Sequence, residues 1–371
     1  MRYNEILELK KRIDFNSTEP EVLIRLIESA RNKGEKLQED LRILQRISSK
    51  IIDSLDNKKF IFGREVLDKV ELSEKRAVGI DGSFQLVGGT GGKWYAPISV
   101  ARIIFENGPS SKPYVDIFWA DIEEIDETED SDPRKIASLK MLRAESTAIL
   151  NWCTQNKRSI VFIDGPIVDP PTGSPEEYVE YRCEGIKKCL ENSIVIGCVK
   201  RSRDRFFIRH LEGILFTVIP DVEKYLDKFL TDQHLMLHVF AYIRSKGKEG
   251  PIFTKWIDIS SANQDYELYS KYGVYVVSLF YQKNKASPVL RLDIPLLKPP
   301  DNDQKTNEII LQAVKAVDEW IYPGHDYPLP IYLAHEKSSI REGCAQVLYE
   351  EIITKSRTTN ESDQLILMLL R

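Results

Sequence analysis

Residues 160–163, Ile-Val-Phe-Ile, form an apolar run with no polar alternate, set between stretches whose apolar residues recur every three or four positions. A run of this kind belongs to a strand buried within a sheet, and the flanking period belongs to helices. Helical patterns at 133–156, 175–192 and 222–246 alternate with the runs 160–163 and 194–199, which defines an α/β chain.

Upstream of that alternation the pattern is β-like. The segments 77–80, 95–105 and 114–119 are separated by Gly/Ser/Pro-rich turns at 88–92 and 107–113, as a meander of antiparallel strands requires. The acidic stretch Asp121 to Asp132 reads as a solvated loop, and Tyr327 to Leu333 as a short apolar extended run. Further β-rich segments fall at 252–259, 273–282 and 288–294, with helices at 304–321 and from Ser338 to Lys355. In the first sixty residues Leu23, Ile24, Ile27, Leu37, Leu41, Leu44, Ile47, Ile51 and Leu55 form one apolar helical stripe. The expected organisation is a helical N-terminal arm over 1–60 followed by one elaborated domain over 61–371, with no internal repeat.

The formal charge of −5 excludes a basic nucleic-acid coat, so any contact with a polyanion must use a local patch. No apolar run approaches the roughly twenty residues needed to cross a bilayer; Leu365 to Leu370 is the longest late one. Met1 to Glu5 leads into charged sequence with no apolar signal core, so the expected location is cytoplasmic. The five cysteines, Cys153, Cys183, Cys189, Cys198 and Cys344, are odd in number and lack a C-x-x-C pair. They suit core positions better than a disulfide framework or a zinc site. His234 and His238 are spaced i, i+4 but lack the intervening Glu of a metalloprotease helix.

Two places share a local design in which an apolar strand runs into Asp-Gly: Val78-Gly79-Ile80-Asp81-Gly82 and Val161-Phe162-Ile163-Asp164-Gly165. An Asp at the end of a buried strand sits at the rim where ligands of α/β folds collect, and the following Gly lets the backbone turn away. Two such carboxylates on neighbouring strands make a site for a hard divalent cation such as Mg²⁺ or Mn²⁺. Glu145, on the helix before the second strand, is the candidate third carboxylate, with Glu123, Glu124 and Glu127 of the acidic stretch as alternatives. His335 follows the late apolar run and can bind metal or hold a phosphate or water.

The glycine run Gly88 to Lys93 departs from a phosphate loop, having Val87 and Trp94 where Gly and Ser or Thr are required; it reads as a hairpin tip. The basic stretch Lys200 to Arg209 places Lys200, Arg201, Arg203, Arg205 and Arg209 around Phe206 and Phe207. That composition fits a groove where cations follow phosphates and rings stack on bases.

Taken in order, Ile80-Asp81-Gly82-Ser83, Arg143-Ala144-Glu145, Ile163-Asp164-Gly165, Gly197-Cys198-Val199-Lys200-Arg201 and Tyr327 to His335 resemble the NurA family of nucleases. The resemblance spans roughly residues 75 to 345. It implies an RNase H-like core and a homodimer enclosing a DNA channel. It also implies manganese-dependent 5′-to-3′ exonuclease action with single-strand endonuclease activity. By the same resemblance Asp81, Glu145 and Asp164 hold metal, Tyr327 and His335 complete the site, and a hexameric HerA-type ATPase is the partner in DNA end resection. Two rival readings stand beside it: a catalytically inactive RNase H-like module that binds DNA or the ATPase, and an RNA-directed nuclease.

Overall fold

The computed structural model describes residues 19–56, 60–89, 92–128, 132–155, 157–169, 175–219, 221–301 and 303–355. Met1 to Glu5 and the apolar run 365–370 lie outside them, as do Thr90 and Gly91 of the glycine run.

The α/β expectation holds: among the described residues, helices flank one mixed sheet of eleven strands. Its centre is built from β2 (Ala77–Phe84), β4 (Lys93–Phe105), β5 (Tyr114–Asp126), β6 (Ile160–Asp164) and β7 (Ile194–Val199). The meander β2-β4-β5 is antiparallel, and β6 joins β2 in parallel, followed by β7 in parallel. The spatial order β5-β4-β2-β6-β7, three antiparallel strands and then two parallel ones, is the RNase H-like arrangement. The sheet continues past β7 through β11 (Leu290–Leu296), β10 (Tyr275–Gln282), β8 (Ile252–Thr254) and β1 (Ile61–Gly63). Two short strands, β3 (Val87–Gly88) on β4 and β9 (Ile257–Asp258) on β10, complete it. β3 pairs antiparallel with the start of β4, Val87 opposite Tyr95 and Gly88 opposite Trp94; the tip of the expected hairpin, Thr90 and Gly91, lies outside the described residues.

Strand alternation sorts the core into two layers. Val78, Ile80, Val161 and Ile163 face a layer that includes α3 (Pro133–Cys153), α4 (Glu176–Leu190), α5 (Phe206–Leu215) and α7 (Asp232–Ser245). Ala77, Ile160 and Phe162 face the other layer, formed by α9 (Gln304–Trp320) and α10 (Leu329–Ser338). The remaining helices are α1 (Pro20–Asp56), α2 (Arg64–Leu67), α6 (Val222–Leu226), α8 (Gln264–Lys271) and α11 (Glu342–Lys355).

α1 is a single helix whose second half joins the first layer through Leu44, Ile47, Ile51 and Leu55 and packs on α7. Its first half leaves Val22, Leu26 and Leu37 exposed, and Leu41, just past the midpoint, is exposed as well. Among the described residues no helix is long and apolar enough to cross a membrane.

Several elements differ from the sequence expectation. The acidic stretch is strand as far as Asp126, because β5 stays paired with β4 out to Lys93. Residues 206–215 and 264–271, to which the sequence pattern assigns no element, are helical. The late apolar run is not extended: Leu329 to Ser338 is helix, with Pro328 as its N-cap and Pro330 in its first turn, where a missing N–H costs nothing. Cys183 and Cys198 are buried as expected, whereas Cys344 is exposed, and Cys153 and Cys189 form a disulfide between α3 and α4.

Candidate metal centre at the sheet rim

β2 does not end at Asp81. It continues to Phe84, so Gly82 serves something other than a turn. A Cβ on Gly82 would lie 2.8 Å from Glu145 Oε1, and that oxygen accepts the Gly82 N–H at 2.6 Å. The glycine therefore makes room for a carboxylate arriving from α3. β6 does end at Asp164, and Gly165 turns the chain away with φ +123°.

The side chains of Asp81 and Asp164 come to the face covered by α10. That helix lies directly against β2 because Gly79 has no side chain; a Cβ there would stand 2.2 Å from the Pro330 carbonyl carbon. Seated this closely, α10 delivers His335 and Ser338. His335 Nδ1 is 3.0 Å from Asp81 Oδ2 and 3.7 Å from Asp164 Oδ2, and Ser338 Oγ donates to Asp81 Oδ2 at 2.8 Å. One ligand atom from each of Asp81, Asp164 and His335 falls within 4.8 Å of the others. Among the described residues this is the one convergence of three His, Cys, Asp or Glu side chains suited to an ion.

Burial separates the members of the site. Asp81 is buried, and that burial, reinforced by the nearby Asp164 charge, raises its pKa against the lowering effect of Ser338, His335 and Lys200. Glu145 is held well above the ordinary carboxylate range by burial first, then by Asp81 and Asp169. It lies beside the trio on the far side of β2 rather than inside it. His335 is 62 % exposed, so the site opens to solvent on its side. Two carboxylate oxygens and an imidazole nitrogen, with concentrated negative charge to relieve, suit Mn²⁺ or Mg²⁺.

Beneath the loop after Asp164 lies a buried cation that the sequence did not single out. The Arg182 guanidinium pairs with Asp169 at 2.6 Å and donates to the carbonyls of Ile167 and Pro166 and to Ser146 Oγ. It thereby ties the loop leaving β6 to the turn of α3 that carries Glu145.

The other candidates are distributed unevenly. Half-buried Tyr327 precedes α10 and lies under the Lys200 ammonium, 4.8 Å from the ring centre. Arg201, Arg203 and Arg209 are exposed. Arg205 is occupied by Asp227 and the Phe229 carbonyl. Phe206 and Phe207 are core residues of α5, so base stacking by these rings is ruled out. Glu123 and Glu124 pair with Lys140 and Lys93, and Glu127 accepts from Trp94 Nε1; none reaches the aspartates. His234 and His238 pack edge-on against each other and Phe229 as parts of α7.

A family model described as the NurA domain matches residues 28–340. Among solved structures, the NurA nuclease from Sulfolobus solfataricus aligns with a TM-score of 0.57 at 15 % identity, over 91 % of this chain and 97 % of that one. A second NurA crystal structure aligns at 13 % identity and a TM-score of 0.40, over 86 % of this chain and 98 % of that one. Comparison with curated proteins finds no match. One domain model thus runs from within α1 to the residues just past α10, taking in both strands of the aspartate pair and the helix that faces them, and the chain belongs to the NurA family.

Proposed function

We propose that this chain is a metal-dependent DNA nuclease, a phosphodiester hydrolase whose centre is Asp81, Asp164 and His335. The observation that carries the reading is their convergence within 4.8 Å at a solvent-open sheet rim. Mn²⁺ is the expected ion and Mg²⁺ the alternative; bound there, it supplies Lewis acidity toward the scissile phosphate and an activated water. Asp81 and Asp164 would hold the ion, His335 would complete its shell or carry a proton at the leaving oxygen, and Glu145 would orient the attacking water. Tyr327 would position a phosphate. Arg201, Arg203 and Arg209 would follow the strand, with Arg205 contributing only if it leaves Asp227.

The finer reading is 5′-to-3′ exonuclease and single-strand endonuclease action at DNA ends, in resection with a HerA-type hexameric ATPase, in the cytoplasm. The departure of Gly88 to Lys93 from a phosphate loop agrees with a separate motor. The exposed apolar side of the first half of α1 supports a homodimer. We take residues 1–60 as the arm and 61–371 as the nuclease domain.

The test is digestion of end-labelled single- and double-stranded DNA with Mn²⁺ by the native chain and by Asp81→Asn and Asp164→Asn. Both variants should lose cleavage and calorimetric Mn²⁺ binding while keeping the native melting curve. Native rates in both would refute the site. Absence of Mn²⁺ binding by the native chain would favour the inactive module, and preferential digestion of a matched RNA the RNA-directed enzyme.

A further inference from the structure

Lys200 stands at the aspartate pair and not on the outer surface with the arginines that follow it. It comes directly after β7, where Cys198 is the register partner of Asp164. Its Nζ donates to Asp164 Oδ2 at 2.5 Å. The backbone here is clamped: Gln233 Nε2 donates to the Lys200 carbonyl at 2.9 Å, and Gln233 Oε1 accepts the Ser202 N–H at 2.9 Å. Only 22 % of the lysine side chain is exposed.

We propose that Lys200 is the resident counter-ion of the metal centre: its ammonium neutralises Asp164 in the metal-free protein, leaves when a divalent cation binds, and then takes a phosphate oxygen of the substrate strand. The inference rests on the metal reading above. Of the two Asp164 carboxylate oxygens, Oδ2 is the one that faces His335, at 3.7 Å, so the atom aimed into the trio is the one Lys200 occupies. A charge-assisted bond from an ammonium and a bond to a cation compete for that oxygen. Lysine suits the exchange because it is a compact charge on a flexible stem and binds phosphate as a point charge, without the planar fork that would lock arginine onto a carboxylate. The Tyr327 face lies 4.8 Å from the same ammonium, giving the released cation a nearby surface.

Calorimetric titration of Mn²⁺ into the full chain, without DNA, tests this in the native protein, Lys200→Met and Lys200→Arg, each checked for folding by its melting curve in EDTA. Lys200→Met should bind Mn²⁺ at least about tenfold tighter, because a charge-assisted bond no longer has to break. It should also cleave DNA more slowly than the native chain at saturating Mn²⁺, while Lys200→Arg, whose planar fork keeps hold of the Asp164 carboxylate, should bind Mn²⁺ more weakly than the native chain. Unchanged or weaker binding by folded Lys200→Met overturns the inference. If the native chain binds no Mn²⁺, the metal reading falls and this inference with it. A measurement on the native chain needs no variant: acetylation of lysines read by mass spectrometry should modify Lys200 faster with Mn²⁺ than without, while exposed Lys298 stays constant. A Lys200 rate that Mn²⁺ does not raise overturns the inference even where Lys200→Met fails to fold.

Discussion

Gly79→Ala places one methyl group between the two parts that assemble the site. The new Cβ would lie 2.2 Å from the Pro330 carbonyl carbon, 2.3 Å from its oxygen and 2.7 Å from the Ile331 nitrogen, all backbone atoms that cannot swing aside. Carbon atoms rest at about 3.5 Å or more, so the first turn of α10 must retreat by about 1.3 Å. His335 and Ser338 travel with that helix. Their bonds to Asp81, 3.0 Å and 2.8 Å in the native chain, lengthen beyond hydrogen-bond range if the helix moves as a body. Overpacking of this kind costs about 1–3 kcal/mol of stability. A displacement of about 1 Å in a reacting constellation costs on the order of 100-fold in rate. Thermal melting, Mn²⁺ calorimetry and cleavage of end-labelled DNA should each register the change. Gly213→Ala on α5 is the control, since nothing lies within 4 Å of its added Cβ; it should melt at or slightly above the native temperature. Native melting, Mn²⁺ affinity and rate in Gly79→Ala would refute the claim that close seating of α10 on β2 builds the site.

Two further variants probe the layer on the other side of the sheet. Arg182→Met removes the fully buried guanidinium that pairs with the largely buried Asp169 carboxylate, and removing one partner of a buried pair costs about 3–5 kcal/mol; a loss below about 1 kcal/mol in urea unfolding would contradict the geometry. Burial lowers the pKa of His234 and His238, and the neighbouring His234 lowers that of His238 further. The folded protein thus binds fewer protons than the unfolded chain, whose histidines titrate near about 6.5, so stability falls as pH drops below that value. The His234→Gln/His238→Gln double variant should flatten the decline in melting temperature between pH 7 and pH 5, and an unchanged slope would exclude these imidazoles as its source.

The sequence made the strands of the RNase H-like core legible because each central strand is apolar over most of its length: β6 and β7 carry almost no polar interruption, and β4 keeps eight consecutive buried residues. The aspartate pair was visible for the same reason, since a carboxylate closing an apolar run is conspicuous. What the sequence concealed lies where a second element changes a residue's meaning. Gly82 reads as a turn until Glu145 arrives from α3 to take its N–H. Pro328 and Pro330 read as extended chain, although proline is compatible with a helix's first turn. Arg205 and Arg209 drew attention to charge and masked the buried series Ile208, Leu211 and Leu215 that makes 206–215 a helix. Ser338 has no signal beyond following His335 by three positions, the helical spacing that lets both side chains meet Asp81.

These elements give the site a divided support. Asp81 is reached by His335 and Ser338 from the α10 side of the sheet, whereas Glu145 comes to the adjacent Gly82 from the α3 side. Neither helical layer holds the whole constellation, and β2 is the piece common to both. Alternation along β2 puts Asp81 and Gly82 on opposite faces, so a one-residue slip of its register would exchange them, turning the carboxylate toward Glu145 and away from His335. Eight paired positions with β4 and four with β6 oppose that slip, and the helices on both faces oppose it again. The length of β2 beyond Asp81 therefore has a purpose in the site: the pairs Gly82–Val100, Ser83–Ser99 and Phe84–Ile98 anchor the strand on the far side of the aspartate, holding its carboxylate in register where three elements converge.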